Sequence, residues 1–169
     1  MIDASDEHLG LLARRVGAML QERAAQVTLA ESCTGGWMAK LLTDVAGSSA
    51  WFDRGFVTYS NAAKQELLGV RADVLAAHGA VSGQVVEQMA LGALARSQAQ
   101  FSIAVSGIAG PGGGSEAKPV GTVWLAWGVA GQSVATRCLH LAGDRDRVRR
   151  QAVACALDGL LLQAKELDD

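Results

Sequence analysis

Leu9, Leu12, Val16 and Leu20 recur three and four residues apart, the spacing that lines one face of a helix, and they predict a first amphipathic helix. The pattern then tightens. Val27, Leu29 and Ala30 form a short apolar run, read as a buried strand, that breaks at Gly35-Gly36, and Trp37 to Leu42 opens a second helix. Phe52 to Tyr59 is rich in β-formers and half alternating, Asn61 to Leu68 reads as a short helix closed by Gly69, and Arg71 to His78 reads as a turn. Ser82 is a cap for a helix carrying Val85, Val86, Met89, Ala90, Ala93 and Leu94. Phe101 to Ser106 predicts an apolar strand ending at Gly107, and Ile108 to Pro119 a loop dense in glycine. Val120 to Val129 and Gln132 to Leu141 predict two strands about a turn at Ala130-Gly131, and Arg145 to Lys165 a long final helix. Helical and strand periods alternate, so the fold class is α/β, with an antiparallel hairpin in its sheet.

Composition narrows the function classes. Half of the 169 residues are hydrophobic, enough for one continuous core, and no linker, repeat or low-complexity tract interrupts them, so a single domain over 1–169 is expected. A formal charge of −2 and an isoelectric point near 5.9 give no electrostatic reason to invoke nucleic acid or an anionic membrane. Met1 to Gln26 carries Asp3, Asp6, Glu7, Arg14, Arg15, Glu22 and Arg23, unlike a signal peptide, and the absence of any long charge-free apolar stretch makes a cytoplasmic protein the expectation. The three cysteines, Cys33, Cys138 and Cys155, are odd in number and widely separated, as free thiols in a reducing compartment would be. His8, His78 and His140 are equally scattered, so neither a metal nor another cofactor is expected. Apolar residues in the final strands and last helix leave room for a homodimer, although Trp124 and Trp127 suit the core better than an interface.

Candidate chemistry lies at the junctions between elements. In Ala30-Glu31-Ser32-Cys33-Thr34-Gly35-Gly36 a strand breaks into a glycine turn before a helix, which offers a nucleophile beside backbone N–H groups. Ser32 and Cys33 compete for the role, though no histidine lies in any glycine turn to activate a thiol. The bland alternative makes Ser32 a helix cap and Cys33 a small core residue. In Thr58-Tyr59-Ser60-Asn61-Ala62-Ala63-Lys64 a strand again enters a helix, with Asn61 as the expected N-cap. Lys64, one turn in, is either a solvated surface lysine or, if desolvated, a base whose ammonium is disfavoured by burial and by the helix N-terminus. Ser106 to Ser115 is glycine-rich after a strand, but matches neither a Walker A nor a dinucleotide fingerprint; it is a ligand cradle or a mobile surface loop. Gly143-Asp144-Arg145-Asp146-Arg147 opens the last helix with arginines that meet a phosphate or pair with nearby acids.

Ala30 to Gly36, Gly47-Ser48-Ser49, Gly55 to Asn61 with Lys64, Gly79-Ala80-Val81-Ser82, Ser106 to Pro111, Lys118-Pro119-Val120-Gly121-Thr122 and Gly143-Asp144-Arg145 occur in one order across nearly the whole chain. Together they resemble the C-terminal domain of the competence/damage-inducible CinA proteins. The resemblance implies a three-layer α/β/α fold and hydrolysis of the carboxamide of nicotinamide mononucleotide to the carboxylate with release of ammonia, by a metal-independent serine and lysine mechanism. Larger CinA proteins carry an N-terminal pyrophosphatase domain for which this chain is too short, so that second activity is expected to be absent. For amide hydrolysis Ser32 would attack, Lys64 or Tyr59 would take its proton, and N–H groups around Thr34, Gly35 and Gly36 would hold the oxyanion. The phosphate would meet the Gly107 to Gly114 loop, Gly110 included, and Arg145, with Ser48 and Asn61 as further polar contacts. A non-catalytic nucleotide-binding or regulatory module, and an amidase or esterase acting on another small amide, remain as alternatives.

Overall fold

A computed structural model describes residues 2–168. In chain order the elements are α1 (Asp6–Glu22), β1 (Val27–Glu31), α2 (Trp37–Thr43), a 3₁₀ turn (Ser48–Ala50), β2 (Phe52–Val57), α3 (Asn61–Leu68), α4 (Ala72–His78), α5 (Gly83–Ala95), β3 (Phe101–Gly107), β4 (Thr122–Val129), β5 (Ala135–His140) and α6 (Arg145–Glu166). The strands form one mixed sheet of order β2-β1-β3-β4-β5, with β1 parallel to β2 and β3, and β4 antiparallel to both β3 and β5.

Side chains alternate across a strand, so each strand serves two cores. Val27 and Leu29, Ile103 and Val105, and Val123 and Leu125 face α1 and α6 and meet Leu9, Val16, Leu157 and Leu160. On the other face Ala30, Ala104 and Ala126 stand in register across β1, β3 and β4. These small residues make a flat strip on which Val86, Met89 and Ala90 of α5 pack, with Leu68 and Leu75 beside them. The result is the three-layer α/β/α arrangement, with β1 buried on both faces.

Serine and aspartate start four of the helices: Ser5, Ser60, Ser82 and Asp144 accept from the N–H groups of His8, Ala63, Val85 and Arg147. Two local expectations change. The cap of α3 is Ser60 rather than Asn61, which becomes the first helical residue. The stretch read as a turn near Arg71 to His78 contains α4, a helix of 7 residues whose only buried side chain is Leu75. The final hairpin is shorter than the apolar runs suggest, because the chain leaves the ladder between Val129 and Ala135. Trp127 is buried and Trp124 half-buried, both against helices of this chain. No helix among the described residues is long and apolar enough to cross a membrane.

Gly159 of α6 fixes how closely that helix approaches the sheet. A Cβ there would lie 2.1 Å from the Trp127 ring, which is pinned by its Nε1–H donating to the Ala156 carbonyl at 2.8 Å. Gly159→Ala gains about 1 kcal/mol of helix propensity but overpacks the core, at a cost of about 1–3 kcal/mol or more. The variant should therefore unfold at lower denaturant than the parent; a higher midpoint would refute the close-packing account.

Candidate active site

The end of β1 is held on both sides. The Ser32 N–H donates to the Val105 carbonyl at 3.0 Å and the Thr58 N–H to the Glu31 carbonyl at 2.8 Å, so both parallel ladders run up to the turn. Beyond Thr58 the chain enters α3, and one turn along that helix Lys64 reaches back over the strand ends. Lys64 is 1% exposed and Ser32 8% exposed. The Lys64 Nζ lies 3.0 Å from Ser32 Oγ and donates to the carbonyls of Thr58, at 2.8 Å, and Tyr59, at 3.4 Å. No carboxylate pairs with Lys64 among the described residues. Burial, uncompensated by a counter-charge, pushes its pKa below the ordinary lysine value of 10.5. Burial has the opposite consequence for Cys33, whose thiol is pushed up to about 12. The Lys64 amine therefore stands beside the Ser32 hydroxyl, and burial favours the protonated form of the thiol next to it.

The turn that follows carries a feature the residue spacing did not announce. Glu31, 1% exposed, folds its carboxylate over the start of α2. One oxygen accepts from the Thr34 hydroxyl at 2.6 Å and from the N–H groups of Gly36 and Met38, each at 3.1 Å; the other accepts from the Ala39 N–H at 2.9 Å. Arg149 of α6 holds the opposite polarity of the same turn, donating to the carbonyls of Cys33 at 3.0 Å and Thr34 at 3.1 Å. The helix N-terminus is thus occupied by the protein's own anion. Two of the expected oxyanion donors are thereby engaged: the Gly36 N–H is bound to Glu31, and the Gly35 N–H to the Ser32 carbonyl at 3.0 Å. Thr34, Gly35 and Gly36 open instead onto a separate depression that Trp37, Lys40 and Arg149 also line. The amides of Cys33 and Thr34 donate to no protein acceptor among the described residues.

Ser32, Tyr59, Asn61, Lys64, Gly107 and Arg145, drawn from β1, α3, β3 and α6 and their flanking turns, converge on one cavity of about 190 Å³. Tyr59 is 61% exposed and stands at the mouth, where its hydroxyl accepts from Arg145 Nη2 at 3.0 Å. Arg145 Nη1 donates to the Gly110 carbonyl at 2.7 Å, so Gly110 presents an acceptor to the arginine rather than an N–H to the cavity. A Cβ on Gly110 would meet Val120 at 2.5 Å, which shows the glycine loop folded down onto the start of β4. Ser48 is not brought to the cavity: it begins the 3₁₀ turn, its N–H donating to the Val45 carbonyl. Among residues given no role of their own beforehand, Ser106 lines the cavity and Glu31 and Arg149 hold the turn after Ser32. An acid immediately before a glycine turn and helix is a local signal for Glu31; nothing local marks Arg149. No cluster of three or more His, Cys, Asp or Glu side chains among the described residues is arranged to hold a metal ion.

Comparison with known proteins covers almost the whole chain. Residues 10–164 match the CinA C-terminal domain family. The Escherichia coli K12 nicotinamide-nucleotide amidohydrolase PncC is 58% identical over 159 residues, covering 94% of this chain and 96% of that protein. The Pseudomonas putida protein of the same name is 59% identical over 150 residues, covering 89% of this chain and 93% of its own length. A longer relative, a CinA-like protein of Akkermansia muciniphila, is 50% identical over 150 residues that make up 36% of its length. The crystal structure of the competence/damage inducible protein CihA from Agrobacterium tumefaciens superposes with a TM-score of 0.90 at 46% identity, covering 94% of this chain and 96% of that one.

Proposed function

Because the chain belongs to the CinA C-terminal domain family, we propose that it hydrolyses the carboxamide of nicotinamide mononucleotide to the carboxylate, releasing ammonia. The observation that carries a serine-amidase reading is the buried, uncompensated Lys64 amine 3.0 Å from the Ser32 hydroxyl. In the neutral amine the two N–H groups go to the Thr58 and Tyr59 carbonyls, which leaves the lone pair for the Ser32 O–H. Ser32 Oγ attacks the carboxamide carbon as its proton passes to Lys64 Nζ, and the carbonyl π pair moves onto oxygen. On collapse the C=O re-forms, the C–N bond breaks, and the Lys64 ammonium gives its proton to the departing nitrogen. A water then repeats the sequence on the acyl-serine, with Lys64 again as base. Tyr59 is the weaker base candidate, since its hydroxyl is engaged with Arg145 at the mouth.

A cavity of about 190 Å³ suits the carboxamide-bearing ring rather than a whole nucleotide. The ribose and phosphate then extend past the mouth to Arg145, whose remaining N–H donors are available to an anion. Asn61, in the wall, is within the same cavity for a further polar contact. The test is direct. Purified protein incubated with nicotinamide mononucleotide should release ammonia and the acid mononucleotide in equal amounts. Binding without ammonia would favour a non-catalytic nucleotide module, and ammonia only from other small amides would favour a different amidase.

A further inference from the structure

The amides of Gly35 and Gly36 are already bonded, so beyond the N–H groups of Cys33 and Thr34 the oxyanion of the reaction can draw on a hydroxyl that the sheet places beside the nucleophile. The parallel register of β1 and β3 pairs Glu31 with Val105, and the Ser32 N–H continues that ladder to the Val105 carbonyl. The next pair along is Ser32 beside Ser106, on strands about 4.8 Å apart. Alternation puts both on the face that carries Ala30, Ala104 and α3, the side from which Lys64 enters. Ser106 is 1% exposed and lines the cavity, and its hydroxyl bonds to no protein group among the described residues. Four residues earlier on β3, the Ser102 hydroxyl on the same face donates to the Ala90 carbonyl at 3.0 Å. A hydroxyl that opens into a cavity wall without a protein partner is free to meet a ligand there.

The sides of the nucleophile also differ. Lys64 comes from α3, on the β2 side of Ser32, whereas Ser106 stands on the β3 side. Lys64 has to protonate the leaving nitrogen, so that nitrogen lies toward α3 and the carbonyl oxygen turns toward β3. We infer that the Ser106 hydroxyl is a catalytic group that donates a hydrogen bond to the carboxamide oxygen as negative charge develops there. No proton is transferred in this contact: Ser106 keeps its hydrogen while the C=O pair moves onto oxygen and returns when the C–N bond breaks. The inference rests on the serine-amidase reading above.

Ser106→Ala should lower kcat by about 10²–10³-fold, the usual loss for one oxyanion donor, with KM changed by less than about three-fold. Its denaturation midpoint should stay close to that of the parent, because the substitution deletes a hydroxyl that bonds to no protein group. Ser32→Ala is measured alongside. If Ser32→Ala stays active, the serine reading itself fails. If Ser32→Ala is inactive and Ser106→Ala keeps kcat within about three-fold, the Ser106 assignment alone fails. A rise in KM at constant kcat would make Ser106 a ground-state contact, and a lowered denaturation midpoint would make it structural; either overturns the proposal.

Discussion

Ser32→Ala lowers the turnover of nicotinamide mononucleotide by about four to six orders of magnitude and leaves the unfolding midpoint close to the parent's. The size follows from the arrangement: without Oγ, the Lys64 amine has no nucleophile to activate, and what remains is a cavity that binds and polarises the amide. The fold is expected to tolerate the change, since the Ser32 backbone is held by the Val105 carbonyl and its side chain's hydrogen bond among the described residues is with Lys64. Cys33→Ala is the control. Its thiol is buried and held protonated, so the variant should retain turnover within about ten-fold, the loss being one of packing rather than chemistry. Ammonia release by both variants, read with their denaturation curves, decides the matter: an active Ser32→Ala and an inactive Cys33→Ala would reverse the assignment.

Lys64→Arg should lose at least about three orders of magnitude in kcat, nearly as much as Lys64→Ala, because a guanidinium keeps the charge but cannot accept the serine proton. In the parent, kcat/KM should rise with pH as the ammonium is lost and then level off, with its midpoint below 10.5 because burial disfavours the charged form. Stability carries the same sign. Between the folded-state pKa and 10.5 the unfolded chain binds a proton that the folded chain has given up, so folding becomes more favourable as pH rises through that window. Lys64→Met has no such group and should lack that rise, while being inactive. An arginine variant that keeps most of the parent rate would make Lys64 an electrostatic anchor and move the proton-transfer role to Tyr59.

Local pattern carried much of the architecture. The apolar run before Ser32, the break at Gly35-Gly36, the helix beginning near Asn61 and the closing hairpin are each encoded within a few residues, where periodicity and turn chemistry speak directly. The departures have local causes as well. Ser60 and Asn61 are both good caps, so the residue type alone cannot choose between them, and α4 has one buried side chain and no side-chain cap to announce it. The site divides along a different line. Ser32, Tyr59 and Lys64 follow strand ends and are legible as such, but which N–H groups remain available depends on where the Glu31 side chain turns. The segment opening at Ser106 is legible as a strand end, but its place beside Ser32 comes from the β1–β3 register, and Arg149 arrives from the far end of the chain. Pairings between distant segments leave no mark in either segment by itself.

The Cys33 thiol has a consequence for how this surface meets reactive small molecules. A thiol pushed up to about 12 by burial stays protonated at pH 7, and peroxides and alkylating agents attack the thiolate. Cys33, adjacent to the proposed nucleophile, is therefore shielded from both, by burial and by protonation. With Ser32 as the proposed nucleophile, an acylating inhibitor should mark that one oxygen selectively, and oxidant exposure should leave the turn intact.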